Sequence, residues 1–187
     1  RYVDDHFGQR DHSRFIAFMG DAELDEGNIW EAIADQATQG LGNVTWVVDF
    51  NRQSLDRVVP GVKVHQWQVQ FLAAGWQVIE VKYGRKLQAK FKEANGEDLR
   101  AWIDAMPNEQ YQSLFALKGE ELRQRFLEGA PEGAKAAVAG VSDEDLAPLV
   151  KDLGGHDLAS MLEAYRQADA TTDRPTVIFA YTVKGWG

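Results

Sequence analysis

Two apolar runs bracket the stretch Phe15–Gln53, and they constrain the fold more than anything else in the chain. Phe15-Ile16-Ala17-Phe18-Met19 stops at Gly20-Asp21, and an amphipathic stretch from Gly27 to Leu41 follows. A second run, Val44-Thr45-Trp46-Val47-Val48, stops at the polar patch Asp49 to Gln53. This alternation predicts strand, crossover helix and parallel strand, with polar side chains where each strand ends. Ligands of open parallel sheets gather at the carboxyl ends of strands. Asp21 and Asn51, thirty positions apart, are therefore expected side by side at one sheet edge.

One carboxylate, one side-chain amide oxygen and nearby main-chain carbonyls form a set of hard oxygens. Mg²⁺ prefers such ligands and usually keeps phosphate oxygens and water in its remaining positions. A helix opening near Gly27-Asn28 would turn its N–H groups and positive dipole end to the same edge, which favours a diphosphate. These parts point to a Mg²⁺–diphosphate site. Taken as bare residues, Gly-Asp after a strand also reads as a plain turn.

The rest of the chain extends the same pattern. Apolar residues at 29, 30, 33, 34, 37 and 41 give a helical face suited to a sheet, with Trp30 in the core. A loop turning at Pro60-Gly61 leads to a helix over Val64–Ala74, stopped by Gly75, and a third strand over Trp76–Tyr83. His65 falls at a helix start, where an exposed or capping role suits it; His6 and His12 belong to a polar entry segment. From about 85 to 152 the pattern is helical and mostly polar, with pieces at Lys86–Glu93, Glu97–Ala105, Gln110–Phe115 and Glu120–Leu127. Ser142 is a helix cap with Asp145 at the capping-box position. This stretch reads as an insertion, after which Asp157 caps a helix over Leu158–Ala168 and Pro175 starts a strand over Thr176–Thr182. His156, just outside that cap and near a sheet edge, reads either as a turn residue or as a catalytic one, and Lys184 as a cation just past the last strand.

The 187 residues suit one domain with a single sizeable core. A net charge of −9 argues against nucleic-acid or anionic-membrane surfaces. No apolar run approaches the ~20 residues that span a bilayer. The absence of cysteine excludes disulfides, thiolate metal sites and a Cys nucleophile, and a cytoplasmic location is expected. Beginning without Met and ending on Lys184-Gly185-Trp186-Gly187, the chain reads as a piece of something longer.

Gly20-Asp21-Ala22-Glu23, with Asn51 thirty positions after Asp21, resembles the signature of thiamine diphosphate enzymes. The resemblance implies that the Asp21 and Asn51 side chains and the Gln53 main-chain carbonyl ligate Mg²⁺. Gly20, Asp21, Ala22, Glu23, Asn51 and Lys184 would line the thiamine diphosphate site. Ala22 departs from the family's usual Gly, placing a methyl group where backbone approaches the diphosphate. Asp49, where many relatives have Asn, adds a negative charge near an anion. Glu26-Gly27 and Glu31-Ala32 match the transketolase-like branch.

Three features narrow the branch to the homodimeric pyruvate dehydrogenase first component. Asn51-Arg52-Gln53-Ser54-Leu55-Asp56 is similar to its Asn-x-Gln-x-Leu-Asp segment. The helical insertion containing Met106-Pro107-Asn108-Glu109-Gln110-Tyr111-Gln112-Ser113 is similar to one found there. Thr182-Val183-Lys184-Gly185-Trp186-Gly187 resembles its Thr-Ile-Lys-Gly-Tyr-Gly, which raises Lys184 to a candidate catalytic residue. The resemblance thus implies an α/β fold: a doubly wound parallel sheet with helices on both faces and a helical insertion at about 85–152. Residues 1–187 would form the diphosphate- and Mg²⁺-binding domain of an enzyme that decarboxylates a 2-oxo acid and acylates a lipoyl group. Its implied partners are a pyrimidine-binding domain of the same enzyme, a second subunit in a homodimer and a lipoyl-bearing acyltransferase; nucleic acid and membrane are not among them. The 187 residues alone are expected to show no turnover. Transketolase, deoxyxylulose-phosphate synthase, or a non-catalytic Mg²⁺–diphosphate-binding or assembly module remain open alternatives.

Overall fold

A computed structural model of the chain describes residues 6–8, 13–51, 53–54, 57–58 and 61–185. Among these, four strands form one parallel sheet: β1 (Phe15–Gly20), β2 (Val44–Phe50), β5 (Gln77–Val81) and β6 (Thr176–Tyr181), in the order β1-β2-β6-β5. The short strands β3 (Gln53–Ser54) and β4 (Arg57–Val58) pair separately as an antiparallel ribbon. Strand alternation sends the sheet's apolar residues to two faces. Val48, Phe50, Val177, Phe179 and Tyr181 face helices α1 (Gly27–Ala34) and α2 (Gly61–Ala73), whose Ile33, Trp67 and Phe71 complete that core. Val47, Ile79, Val81, Ile178 and Ala180 face the opposite way, towards Ala164 and Ala168 of α9 (Leu158–Ala170). Helices on both faces of a parallel sheet make the architecture doubly wound.

Between β5 and α9 lie six helices: α3 (Arg85–Lys90), α4 (Gly96–Ala105), α5 (Asn108–Ser113), α6 (Gly119–Leu127), α7 (Glu132–Val138) and α8 (Asp143–Val150). They enclose a core of their own, with Leu87, Leu99, Leu114, Leu122, Phe126 and Leu146 at its centre. Polar ties fasten this unit to the sheet. Lys82 and Tyr83, just past β5, both bond Asp104 of α4. Burial pushes the Asp104 carboxyl up, but those two hydrogen bonds and the charges of Lys82 and Arg100 outweigh it and hold the group below the usual carboxylate range. Asp157 caps α9 by accepting from the Ala159 amide, and also accepts from the Arg85 amide and side chain, so one carboxylate joins the starts of α3 and α9.

Three boundaries and one whole helix differ from the sequence pattern. The helix expected over Gly27–Leu41 ends at Ala34, because Asp35 turns extended and its carboxylate accepts the Ala37 amide at 2.8 Å, starting a 3-10 turn instead. Helix α2 opens at Gly61, so His65 is an exposed residue of its second turn and not a helix start. Strand β5 ends at Val81, and Tyr83 returns as a lone antiparallel bridge to Leu153. Helix α7 is additional; its run Glu132-Gly133-Ala134-Lys135-Ala136-Ala137-Val138 offers little polar contrast to read. The stop at Gly75 stands where expected, with the positive φ of 82° that glycine adopts without strain.

Candidate functional site

Residue pairing across the sheet sets the site's geometry. Gly20 is level with Asp49, and Asp49 with Ala180, so β1, β2 and β6 leave the sheet side by side. Asp21 is the first residue past β1 and opens the 3-10 turn Asp21–Asp25, where it is 1% exposed. Asn51 is the first residue past β2 and is half-buried. The two residues expected at one edge are thus both at the carboxyl edge of neighbouring strands. Gln53 opens β3, which packs beside the Asp21–Asp25 turn, bringing its main chain to the same place. Within the turn Ala22 is half-buried and Glu23 exposed. Among the described residues, a Cβ added to Gly20 or Gly27 would meet no heavy atom within 4 Å, which leaves space at the exit of β1 and the start of α1. A single buried carboxylate, an amide oxygen and a main-chain carbonyl beside that space fit a Mg²⁺–diphosphate group in donor chemistry and in room. Among the described residues no three His, Asp or Glu side chains cluster as a metal site.

The exit of β6 is held by its neighbours. The Thr182 amide donates to the Phe50 carbonyl at 3.1 Å, and the Thr182 hydroxyl donates to the Asp49 carboxylate. The Val183 amide donates to Nε2 of His156 at 2.9 Å. Lys184 follows, exposed, in a turn that Gly185 completes with a φ of 73°. His156 reaches Val183 because its turn lies directly on the strand ends. A Cβ at Gly154 would sit 2.5 Å from the Val81 carbonyl oxygen, and one at Gly155 2.5 Å from that of Tyr181. The two glycines are required by this close approach, a reason for Gly154-Gly155 that the sequence pattern did not supply.

Burial lowers the His156 pKa below its usual 6.5, against an opposing pull from the Asp49 carboxylate. The neutral ring is also the form that accepts from Val183, since protonated Nε2 is a donor. The folded value lies below the unfolded one, so this contribution to stability is complete above about pH 6.5 and is lost as pH falls through the folded value. We expect the stability gap between the natural protein and His156→Gln, followed by urea denaturation, to shrink from about pH 7.5 to about pH 5. A gap that stays constant over that range would show that His156 does not titrate in this way.

The insertion reaches the same edge. Nε2 of Gln112, in α5, donates to the Asn51 carbonyl at 3.3 Å. Next to this contact a cavity of about 240 Å³ is lined by Phe50, Tyr181, Tyr83, Asp104, Asn108 and Tyr111. A larger groove of about 1060 Å³ runs along β5 between α9 and α3–α4, and none of Asp21, Asn51 or Lys184 lines it. His6 is exposed, and His12 lies outside the described residues. No helix among the described residues is long and apolar enough to cross a membrane.

A doubly wound parallel sheet with polar residues gathered where three adjacent strands exit defines an α/β domain of the kind that binds ligands at the carboxyl edge of its sheet. Residues 1–101 match the family described as "Transketolase, thiamine diphosphate binding domain", and the chain belongs to that family. It is similar to proteins named pyruvate dehydrogenase E1 component. That of Corynebacterium glutamicum is 36% identical over 173 residues, covering 91% of this chain and 18% of the relative. That of Mycobacterium tuberculosis is 35% identical over 171 residues, covering 90% and 18%. That of Escherichia coli (strain K12) is 32% identical over 191 aligned positions, covering 100% and 21%. The chain thus spans about a fifth of the length of these curated relatives.

Proposed function

We propose that this chain is the diphosphate- and Mg²⁺-holding part of a thiamine diphosphate-dependent pyruvate dehydrogenase that decarboxylates a 2-oxo acid and acylates a lipoyl group. The observation that carries the reading is the placement of Asp21, Asn51 and Gln53 at one sheet edge in a chain of this family. Asp21 and Asn51 hold Mg²⁺ through side-chain oxygens and Gln53 through its main-chain carbonyl. The turn Gly20–Glu23 and the first N–H groups of α1 accommodate the diphosphate. Lys184, at the β6 exit, supplies a cation facing the substrate side. When bound, thiamine diphosphate supplies the carbon chemistry, and the protein supplies binding, orientation and electrostatics.

The remaining parts of the reaction come from partners: a pyrimidine-binding domain of the same enzyme, a second subunit in a homodimer and a lipoyl-bearing acyltransferase. The proposed compartment is the cytoplasm, in keeping with a chain that contains no cysteine. The test is calorimetric titration of the full-length protein with thiamine diphosphate, with and without Mg²⁺, followed by assays with pyruvate and with ketose phosphates. Mg²⁺-dependent binding and turnover of pyruvate are expected. Turnover of ketose phosphates alone would make it a transketolase-type enzyme, and failure to bind thiamine diphosphate would make it a non-catalytic module.

A further inference from the structure

The main-chain carbonyl of Asn51 lies just beyond the last ladder contact of β2, where the Phe50 carbonyl accepts from Thr182. Asn51 is one of the proposed metal ligands, so a contact that steadies its backbone also limits where its side chain projects. The insertion makes a contact at this residue: Gln112 Nε2 donates to the Asn51 oxygen at 3.3 Å.

Gln112 is itself well anchored. The preceding Tyr111 is 3% exposed, and its hydroxyl donates to the Val150 carbonyl at 2.6 Å. Tyr111 also packs edge-on against Phe115 at 5.4 Å between ring centroids. Leu114, two residues beyond Gln112, is fully buried. Lys151 closes the segment by donating to the carbonyls of Phe115 and Leu117 at 2.8 and 2.9 Å. The amide is thus borne by a short helix pinned on both sides into the insertion's core. A helix held in that way presents its side-chain donor from a fixed backbone position.

We infer that Gln112 is a positioning residue for the proposed metal ligand Asn51, through which the helical insertion holds that residue in its ligating geometry. The inference rests on the proposed Mg²⁺ role of Asn51. Partners that orient metal ligands typically contribute about 10- to 100-fold in metal affinity. The contact here is a neutral hydrogen bond to a main-chain atom, which places the expected effect at the lower end.

The experiment is a Mg²⁺ titration of the full-length protein at saturating thiamine diphosphate, read by calorimetry, on the natural protein and on Gln112→Ala, Gln112→Met and Gln112→His. Met keeps the length of the side chain without its donor, and His keeps an N–H donor at similar reach. Ala and Met are expected to weaken Mg²⁺ binding by about 10-fold, with urea denaturation midpoints of the metal-free proteins unchanged, and His is expected to recover most of the affinity. Mg²⁺ affinity of the Met variant within about twofold of the natural protein overturns the positioning role while leaving the metal reading intact. Cofactor binding that ignores Mg²⁺ in the natural protein overturns the metal reading, and this inference with it.

Discussion

Phe50→Ala is expected to destabilise the protein by about 3–5 kcal/mol, the cost of emptying a buried aromatic site. Phe50 is fully buried and stands edge-on to Tyr181, Trp67 and Phe179, with ring centroids at 4.7, 6.4 and 6.4 Å. Each such pair adds about 0.5–1.5 kcal/mol to what area alone contributes. Domains of this size are stable by about 5–15 kcal/mol, so the loss is a large share of the whole. It is measured as the shift in free energy of urea unfolding, and a loss under about 1 kcal/mol would mean that the site collapses without a cavity.

Phe50 also precedes Asn51, so its ring is the anchor from which the β2 exit projects. Phe71→Ala offers a comparison, since Phe71 is as deeply buried but lies on α2, against Trp30, Trp76 and Phe179. Both variants remove a phenyl ring from the same core. Only Phe50→Ala loosens the chain directly beside a proposed ligand, so Mg²⁺ affinity should fall more for it than for Phe71→Ala at equal stability.

What the amino-acid sequence disclosed follows the range of the interactions involved. The exits of β1, β2 and β6 were readable because an apolar run stopping at a polar residue is a local signal. The caps were readable for the same reason. Ser142 accepts from the Asp145 amide and Asp157 from the Ala159 amide, both within three residues. The early end of α1 is not legible in the pattern because Asp35 competes for the backbone from a position that still fits the helical period. Contacts that shape the site were out of reach altogether. Gln112 and Asn51 are 61 positions apart, His156 and Val183 are 27 apart, and Thr182 and Asp49 are 133 apart. Each depends on how helices dock on the sheet, which no periodicity encodes. Asp49 illustrates the consequence. In sequence it is an extra charge near a diphosphate; in the fold its carboxylate is engaged by the Thr182 hydroxyl and lies in the field of His156.

Asp21→Asn is expected to weaken Mg²⁺-dependent binding of thiamine diphosphate by the full-length protein by more than about 100-fold, beyond what loss of an outer partner typically costs. Asn51 and the Gln53 carbonyl are neutral, so Asp21 brings the charge to the proposed ligand set. At 1% exposure that charge acts with little screening by water, which strengthens its pull on a divalent cation. Asparagine has nearly the same shape, and its amide oxygen still accepts hydrogen bonds, so the metal-free fold should be retained. The two proteins should therefore unfold at similar urea concentrations without ligand. With Mg²⁺ and thiamine diphosphate present, the natural protein should gain stability by mass action and the variant should not. Equal gains in both would remove Asp21 from the ligand set and return Gly20-Asp21 to the plain turn that its sequence also allows.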